Sequence, residues 1–276
     1  MHLGQIRVIC GFKIHAMKIN NTSLAAMLGL MSVTSWGQTH VQESIAPPPT
    51  ASSFVFLLAR GNPASSSLFS VPFLQFHFQR GFGGLNSYQF YGQKTVKSAH
   101  FLHLGLERNG DALLHTSRMQ LGWAKKMGNT SLGFRSHYLQ MNGPDIRGYS
   151  QMRLDMGTNT QLSDQFRLAS LVSFLQSKLK THIQSRIGVE FQPIPVLQIT
   201  GDLTISRQYF AFQGTLFYRF RPQFISSFGY YSRLSQFHFS LTQETSKKLQ
   251  ATLSIHKSAQ RPLQSQFSLT YLFPKP

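Results

Sequence analysis

Cysteine is nearly absent from the sequence. Cys10 is the single one, and it lies upstream of an apparent export signal. The exported chain is therefore predicted to have no thiol, which excludes both a disulfide framework and a thiol nucleophile. An exported protein without cysteines has to be stabilised in another way, and a closed β-sheet is one such way.

Acidic residues are also scarce. Only 9 Asp and Glu stand against 27 Lys and Arg, so the formal net charge is +18. An excess of this size suits an anionic surface or an anionic solute. Nucleic acid is the usual partner of so basic a chain, but the sequence has no Lys/Arg-rich block and no RNA-binding aromatic motif. We therefore predict no nucleic-acid partner.

Long apolar runs are missing after Gly37. Residues 17–37 have the pattern of a secretory signal peptide, with the positive charge of Lys18, an apolar stretch at 24–33 and small residues at the end. This stretch of roughly ten residues is shorter than the ~20 that a spanning helix needs. Residues 1–16 precede the signal awkwardly, so Met17 is a candidate for the true start.

What fills the remaining chain is alternation of apolar and polar residues. In residues 181–206, for example, Ile183, Ile187 and Val189 occupy one parity and Arg186 and Glu190 the other. A period of two predicts a strand with one apolar and one polar face. About fourteen such runs follow an irregular arm at 38–67, with twelve as the alternative count, and they fill a single domain at 68–276. The runs are 68–79, 87–93, 98–106, 116–125, 130–141, 148–161, 166–176, 181–191, 196–206, 209–220, 223–233, 235–243, 248–257 and 262–273.

This series predicts an all-β fold, an antiparallel transmembrane β-barrel preceded by a signal peptide. In hydrocarbon every backbone N–H and C=O must be paired within the protein, so a spanning sheet has to close. A soluble β-sandwich shares the alternation with its apolar face inward, but it seldom needs so many long runs. An even strand count places both ends of the barrel on one side, normally the periplasm, together with the turns at 126–129, 162–165, 192–195, 221–222 and 244–247.

The last strand carries the most specific pattern. Phe267, Leu269, Tyr271 and Phe273 alternate with polar residues, and only Pro274, Lys275 and Pro276 follow them. This resembles the C-terminal signal of outer-membrane barrels, which the insertion machinery reads. With the signal peptide, it predicts a location in the outer membrane, with membrane lipid and the barrel-assembly machinery as partners.

Charged residues on the polar face are predicted to line the lumen. They would form either an anion-leaning interior with a few ion pairs or a polar network that closes the barrel. The predicted lumen residues are Arg118, Arg135, Arg153, Asp155, Arg167, Arg186, Glu190, Asp202 and Arg219.

Catalytic chemistry has one weak candidate, His238-Phe239-Ser240. A spacing of two on a strand puts His238 and Ser240 on one face, where the imidazole could activate the hydroxyl, as in outer-membrane lipid hydrolases. Chance pairs of this kind are expected among so many strand His and Ser residues, so no enzymatic activity is predicted. No cluster has metal-ligand spacing and no glycine-rich loop precedes a helix, so neither a metal nor another cofactor is implied.

The segment Ala59-Arg60-Gly61-Asn62-Pro63-Ala64 resembles the N-P-A element of the FadL-like outer-membrane barrels, which include the PorV and PorQ proteins of the type IX secretion system. Repeated hairpins such as the one in residues 119–139 are similar to those of the same family. The resemblance implies a barrel of about fourteen strands over residues 59–273, with Ser65 at a position where the family usually has glycine.

Four functions follow as hypotheses. The first is a non-enzymatic accessory or component of type IX-like protein secretion, with other secretion proteins as partners. The alternatives are an outer-membrane channel for hydrophobic or anionic solutes, a secreted soluble β protein, and an outer-membrane lipid hydrolase.

Overall fold

The computed structural model describes residues 61–68, 71–80, 86–97, 99–111, 114–143, 146–176, 181–246, 248–259 and 261–273. The predicted signal peptide at 17–37, the upstream residues 1–16 and most of the arm at 38–67 lie outside these ranges.

Fourteen antiparallel strands form one closed barrel in which every strand pairs with its neighbours in the sequence. The first and last strands pair with each other and close the sheet. This confirms the predicted fold class and the strand count of fourteen. The strands are β1 (Phe73–Arg80), β2 (Asn86–Lys97), β3 (His100–Gly110), β4 (His115–Met127), β5 (Thr130–Gly143), β6 (Ile146–Gln161), β7 (Phe166–Gln176), β8 (Thr181–Ile194), β9 (Leu197–Ser206), β10 (Phe210–Arg221), β11 (Phe224–Tyr231), β12 (Gln236–Ser246), β13 (Leu249–Ser258) and β14 (Arg261–Leu272).

The closing pair runs in register from Phe73 opposite Leu272 to Arg80 opposite Ser265. Phe73 starts β1 and Leu272 ends β14, so both lie at one end of the barrel, called here the terminal end; the other is the far end. The connections after β2, β4, β6, β8, β10 and β12 return to the terminal end, as expected for an even count.

In the β4–β5 connection Gly128 adopts a φ of 59°, which suits a tight hairpin because glycine has no Cβ to clash there.

The polarity of the wall is the reverse of that of a soluble protein. Outward positions carry large apolar side chains such as Leu104, Ile187 and Phe239, which are 38%, 49% and 45% exposed. Inward positions carry Gln, Thr, Ser, His, Arg and acidic residues, most of them buried. A closed sheet with an apolar exterior and a polar interior is the architecture of a transmembrane barrel.

Several strand bounds differ from the sequence-based expectation, and two of these differences have a local cause. The first strand begins at Phe73 rather than at 68, because Pro63–Leu68 forms a 3-10 helix and Pro72 directly precedes the strand. The turn expected at 192–195 lies at residues 195–196, because β8 continues through a bulge to Ile194. Pro193 has no N–H for the ladder, so the register shifts there without ending the strand.

The 3-10 helix Pro63–Leu68 packs against β3, β4, β5 and β6. None of the helices in the described residues is long and apolar enough to cross a membrane. Together with Gly61 and Asn62, the 3-10 helix forms what we call the inner segment, residues 61–68.

If lipid surrounds the barrel, a charged residue at an outward position in the middle of β8 should destabilise it. Replacing Ile187, an outward residue, with Arg should lower the free energy of unfolding by about 2–4 kcal/mol in phospholipid vesicles, because the guanidinium would face hydrocarbon. Urea titration of the reconstituted barrel measures this change.

Thr181→Arg is the matched control, since Thr181 is exposed at the end of the same strand and the same change should cost about 0–1 kcal/mol near the interface. Equal and small effects at the two positions would point to water outside the wall.

Candidate functional site: the barrel interior

Two glycines form a seat for the inner segment on the inner wall. Gly133 of β5 and Gly157 of β6 lie opposite each other in the ladder. A Cβ on Gly133 would stand 2.3 Å from the Ala64 nitrogen, and one on Gly157 would stand 1.9 Å from Asn62 Oδ1. Any larger residue at either position would therefore collide with the inner segment.

Asn62 anchors the segment to the wall. Its Nδ2 donates to the Thr158 carbonyl at 2.7 Å and to the Ser170 carbonyl at 2.9 Å. Thr158 and Ser170 face each other across β6 and β7. The Oδ1 atom accepts from the Ala64 N–H at 3.0 Å, so the same side chain also holds the turn that starts the 3-10 helix. Asn62 is fully buried, which is consistent with all of these bonds being made within the protein.

Serine hydroxyls and a glutamine hold the rest of the segment. Gln93 of β2 donates to the Ser66 carbonyl at 2.9 Å, and the Ser66 hydroxyl lies 3.2 Å from His103 Nδ1 on β3. Asn159 of β6 donates to Ser65 Oγ at 3.3 Å, and Ser67 bonds Ser131 of β5. Side chains or backbone of β2, β3, β5, β6 and β7 thus contact one short peptide from several sides.

A charged cluster adjoins the segment, centred on Asp155. Its carboxylate accepts from Arg153 Nε at 2.6 Å, from His137 Nε2 at 2.8 Å and from Arg135 Nη2 at 3.1 Å. Arg135 also donates to the Gly61 carbonyl, so the cluster is joined directly to the inner segment. Asp155 and Arg135 are almost fully buried, and such charges are tolerated only when each is paired and hydrogen-bonded.

The other predicted lumen residues lie at inward positions in separate groups. Arg167 bonds Glu190 at 2.7 Å across β7 and β8, while buried Arg186 donates to Gln184 at 2.9 Å. Asp202 is buried on β9 opposite Gly188 of β8, so it is the diagonal neighbour of both Arg186 and Glu190 on the inner face. Of the nine predicted residues, the structure thus joins Arg135, Arg153 and Asp155 in one cluster. It pairs Arg167 with Glu190 and places Arg186 and Asp202 at neighbouring inward positions of β8 and β9.

The sequence analysis missed two acids of the interior, Glu107 and Glu244. Glu107 bonds Arg118 at 3.2 Å, and Glu244 bonds Arg219 at 3.3 Å. Glu107 has the opposite parity to Leu104 and Leu106, a signal that the sequence did contain, whereas Glu244 was assigned to a turn but belongs to β12. With these two acids, the described interior carries more ion pairs than the sequence analysis identified.

The His-x-Ser candidate on β12 does not form a catalytic pair in the described structure. The Ser240 hydroxyl forms a hydrogen bond with the Ser227 hydroxyl, with 2.6 Å between the two Oγ atoms. The His238 ring lies beside the His256 ring, with centroids 6.0 Å apart. Within the described ranges, no group of three or more His, Cys, Asp or Glu residues is arranged to hold a metal ion.

The residues of the predicted C-terminal signal lie on the closing strand and just beyond it. Phe267, Leu269 and Tyr271 point outward on β14 and are each about two-fifths exposed. Phe273 follows the strand, donates its N–H to the Pro72 carbonyl at 2.9 Å and packs its ring 5.0 Å from that of Tyr271. The pattern therefore lies at the seam of the barrel.

Solved structures share this architecture. The Ralstonia pickettii toluene transporter TbuX matches 85% of this chain and 98% of its own with a TM-score of 0.58 and 10% identity. The CymD monoaromatic hydrocarbon channel matches over 85% and 97% of the two chains, with a TM-score of 0.60 and 9% identity. A deltaS2S3 mutant of the TodX monoaromatic hydrocarbon channel matches over 83% and 96%, with a TM-score of 0.58 and 9% identity. At such identities the likeness establishes the fold alone.

No protein-family model matches the sequence, and neither does any curated protein. The class that fold and interior define is a fourteen-stranded barrel with an apolar exterior, a polar interior and a peptide docked inside it.

The seat predicts that Gly133→Ala releases the inner segment without opening the barrel. The added methyl would overlap backbone atoms of Pro63 and Ala64, so the segment has to leave the wall. Hydrogen exchange of residues 61–68, followed by mass spectrometry, should become much faster, while exchange in the strands stays slow.

Gly201→Ala is the control for this exchange experiment. A Cβ on Gly201 has its nearest neighbours at 3.6 and 3.7 Å, which is ordinary contact, so the segment should keep its protection. Unchanged protection in Gly133→Ala would contradict the seat.

The charged cluster predicts a large effect for Asp155→Asn. Losing the negative charge leaves the buried Arg135 and the nearby Arg153 without their shared counterion, which should cost about 3–5 kcal/mol of unfolding free energy. Glu244→Gln removes an acid whose pair is about a third exposed, so less than about 1 kcal/mol is expected there. Urea titration of both variants in vesicles checks the contrast, and similar losses would refute it.

Proposed function

We propose that the protein is a non-enzymatic outer-membrane channel or transporter for small hydrophobic solutes. The observation that carries the proposal is a closed barrel with an apolar outer face and a peptide docked on its inner wall. The shared fold with the toluene transporter TbuX and the hydrocarbon channel CymD supports the same class.

The choice of solute follows from the interior. Its arginines are largely matched by acids, which argues against a lumen that selects anions. Apolar side chains occur inward along the wall, with Tyr231 and Leu234 near the far end, Leu171 midway along β7 and Phe73 near the terminal end. These inward apolar side chains could contact an apolar solute more favourably than a strongly hydrated one.

The inner segment would act as the element that limits passage. It lies against β3 to β6 and is attached by hydrogen bonds rather than by a covalent crosslink. Each such bond contributes about 0.5–1.5 kcal/mol net, so removing a few of them could detach the segment while the barrel stays closed.

Placement in the outer membrane follows from the outward apolar face and from the outer-membrane pattern at Phe267 to Phe273. In this placement the terminal end faces the periplasm, and the barrel-assembly machinery reads β14. The type IX secretion hypothesis rests on the family resemblance alone, and none of the described contacts adds to it.

The test is transport with and without the anchor of the inner segment. Cells that express the wild-type protein should take up the apolar dye N-phenylnaphthylamine faster than cells without it. Asn62→Ala should raise both dye uptake and single-channel conductance in planar bilayers, because the bonds to Thr158 and Ser170 are lost.

Asn129→Ala, in the exposed turn between β4 and β5, is the control and should behave as wild type. Uptake and conductance that never exceed those of protein-free membranes would contradict the channel. Recovery of the chain from the medium, without heat-modifiable migration, would contradict the outer-membrane placement.

A further inference from the structure

The charges of the strands are divided between the two faces of the wall. The acidic strand residues with described side chains all point inward: Glu107, Asp155, Glu190, Asp202 and Glu244. The charged residues that point outward are all basic: Arg80, Arg108 and Lys257 toward the far end, and Lys94 and Lys125 toward the terminal end. The outward charges of the described strand residues are therefore all positive.

Outward cations near both ends fit the headgroup regions of a membrane. A guanidinium facing the hydrocarbon midplane costs about 2–4 kcal/mol, whereas near the interface the cost falls to about 0–1 kcal/mol. Phosphate groups in the headgroup region can accept charge-assisted hydrogen bonds from these side chains. The distribution thus favours lipids that carry phosphate.

One part of the exterior is also hollow. A groove of about 480 Å³ lies on the outer face of β1 to β5, and its volume is in the roughly 300–1,000 Å³ range of small-ligand sites. Its floor is the sheet at Gln89, Glu107 and Arg118, whose side chains point inward. Its walls are outward apolar side chains, namely Phe76, Tyr88, Phe90, Leu106, Met119 and Tyr138.

The groove is amphipathic along the barrel axis. Arg108, Ser117 and Gln140 are consecutive partners in one cross-strand row nearer the far end. Leu106, Met119 and Tyr138 form the next outward row toward the membrane centre. Ser117 is small, so it leaves space beside the Arg108 guanidinium. A polar row above an apolar row matches a lipid with its headgroup at the far end and its acyl chain toward the middle.

We propose that this groove binds a phosphate-bearing lipid of the lipid A type, with its phosphate at Arg108 and an acyl chain along Leu106 and Met119. The site is distinct from the interior and needs no solute to pass through the barrel. The choice of lipid A rests on the proposed orientation, in which the far end lies in the outer leaflet.

The experiment measures binding of lipid A to the folded, detergent-solubilised full chain by native mass spectrometry, with dephosphorylated lipid A as the comparison probe. The wild type should prefer the phosphorylated lipid. Arg108→Gln should weaken its binding about tenfold and abolish that preference, because a charge-assisted hydrogen bond is lost. Ser117→Trp should weaken binding of both lipids by filling the groove.

Lys257→Gln is the matched control, since it removes an outward cation near the same end but outside the groove. Unchanged binding in this variant supports the site. Equal losses in Lys257→Gln and Arg108→Gln, or wild-type binding in Arg108→Gln and Ser117→Trp, would overturn it. Heat-modifiable migration shows that each variant is a folded barrel, so a failure of lipid binding is separable from a failure of the channel proposal.

Discussion

The pairing of β1 with β14 is the interaction on which the rest of the structure depends. All other strand pairs join neighbours in the sequence, whereas this pair joins Phe73 to Leu272 and spans the whole barrel. Without it the sheet would have two edges with unpaired N–H and C=O groups, which hydrocarbon does not tolerate. Closure also creates an inside and an outside, so the alternation in each strand acquires two different surroundings.

Those two surroundings explain how so basic a chain can have a nearly balanced interior. The acids of the strands lie inside, where Asp155, Glu190 and Glu107 each face an arginine. Among the described strands, further positive charges lie on the outer surface near the strand ends, at Arg80, Lys94, Arg108, Lys125 and Lys257. Net charge alone therefore does not reveal the charge of the lumen, because it does not tell which face of the wall each charged residue occupies.

The fold was largely predictable because its main signal is local. A period of two, repeated in run after run, identifies the strands and their faces without knowledge of distant contacts. Local irregularities shifted the ends of some strands. At Pro193, for example, a bulge extends β8 and moves the turn to residues 195–196. The inner segment was only partly predictable, because the Asn62 partners lie 96 and 108 residues away and its seat depends on Gly133 and Gly157 being opposite each other.

The position of the inner segment restricts the routes by which this peptide can reach its place during assembly. Only residues 69–72 separate it from β1, one of the two strands of the seam. Since a continuous hydrogen-bonded wall admits no chain sideways, the peptide reaches the inner wall either before β1 meets β14 or afterwards through an end of the barrel. By the first route, the middle strands that bind the peptide would hold β1 near its final place while the C-terminal strands are added.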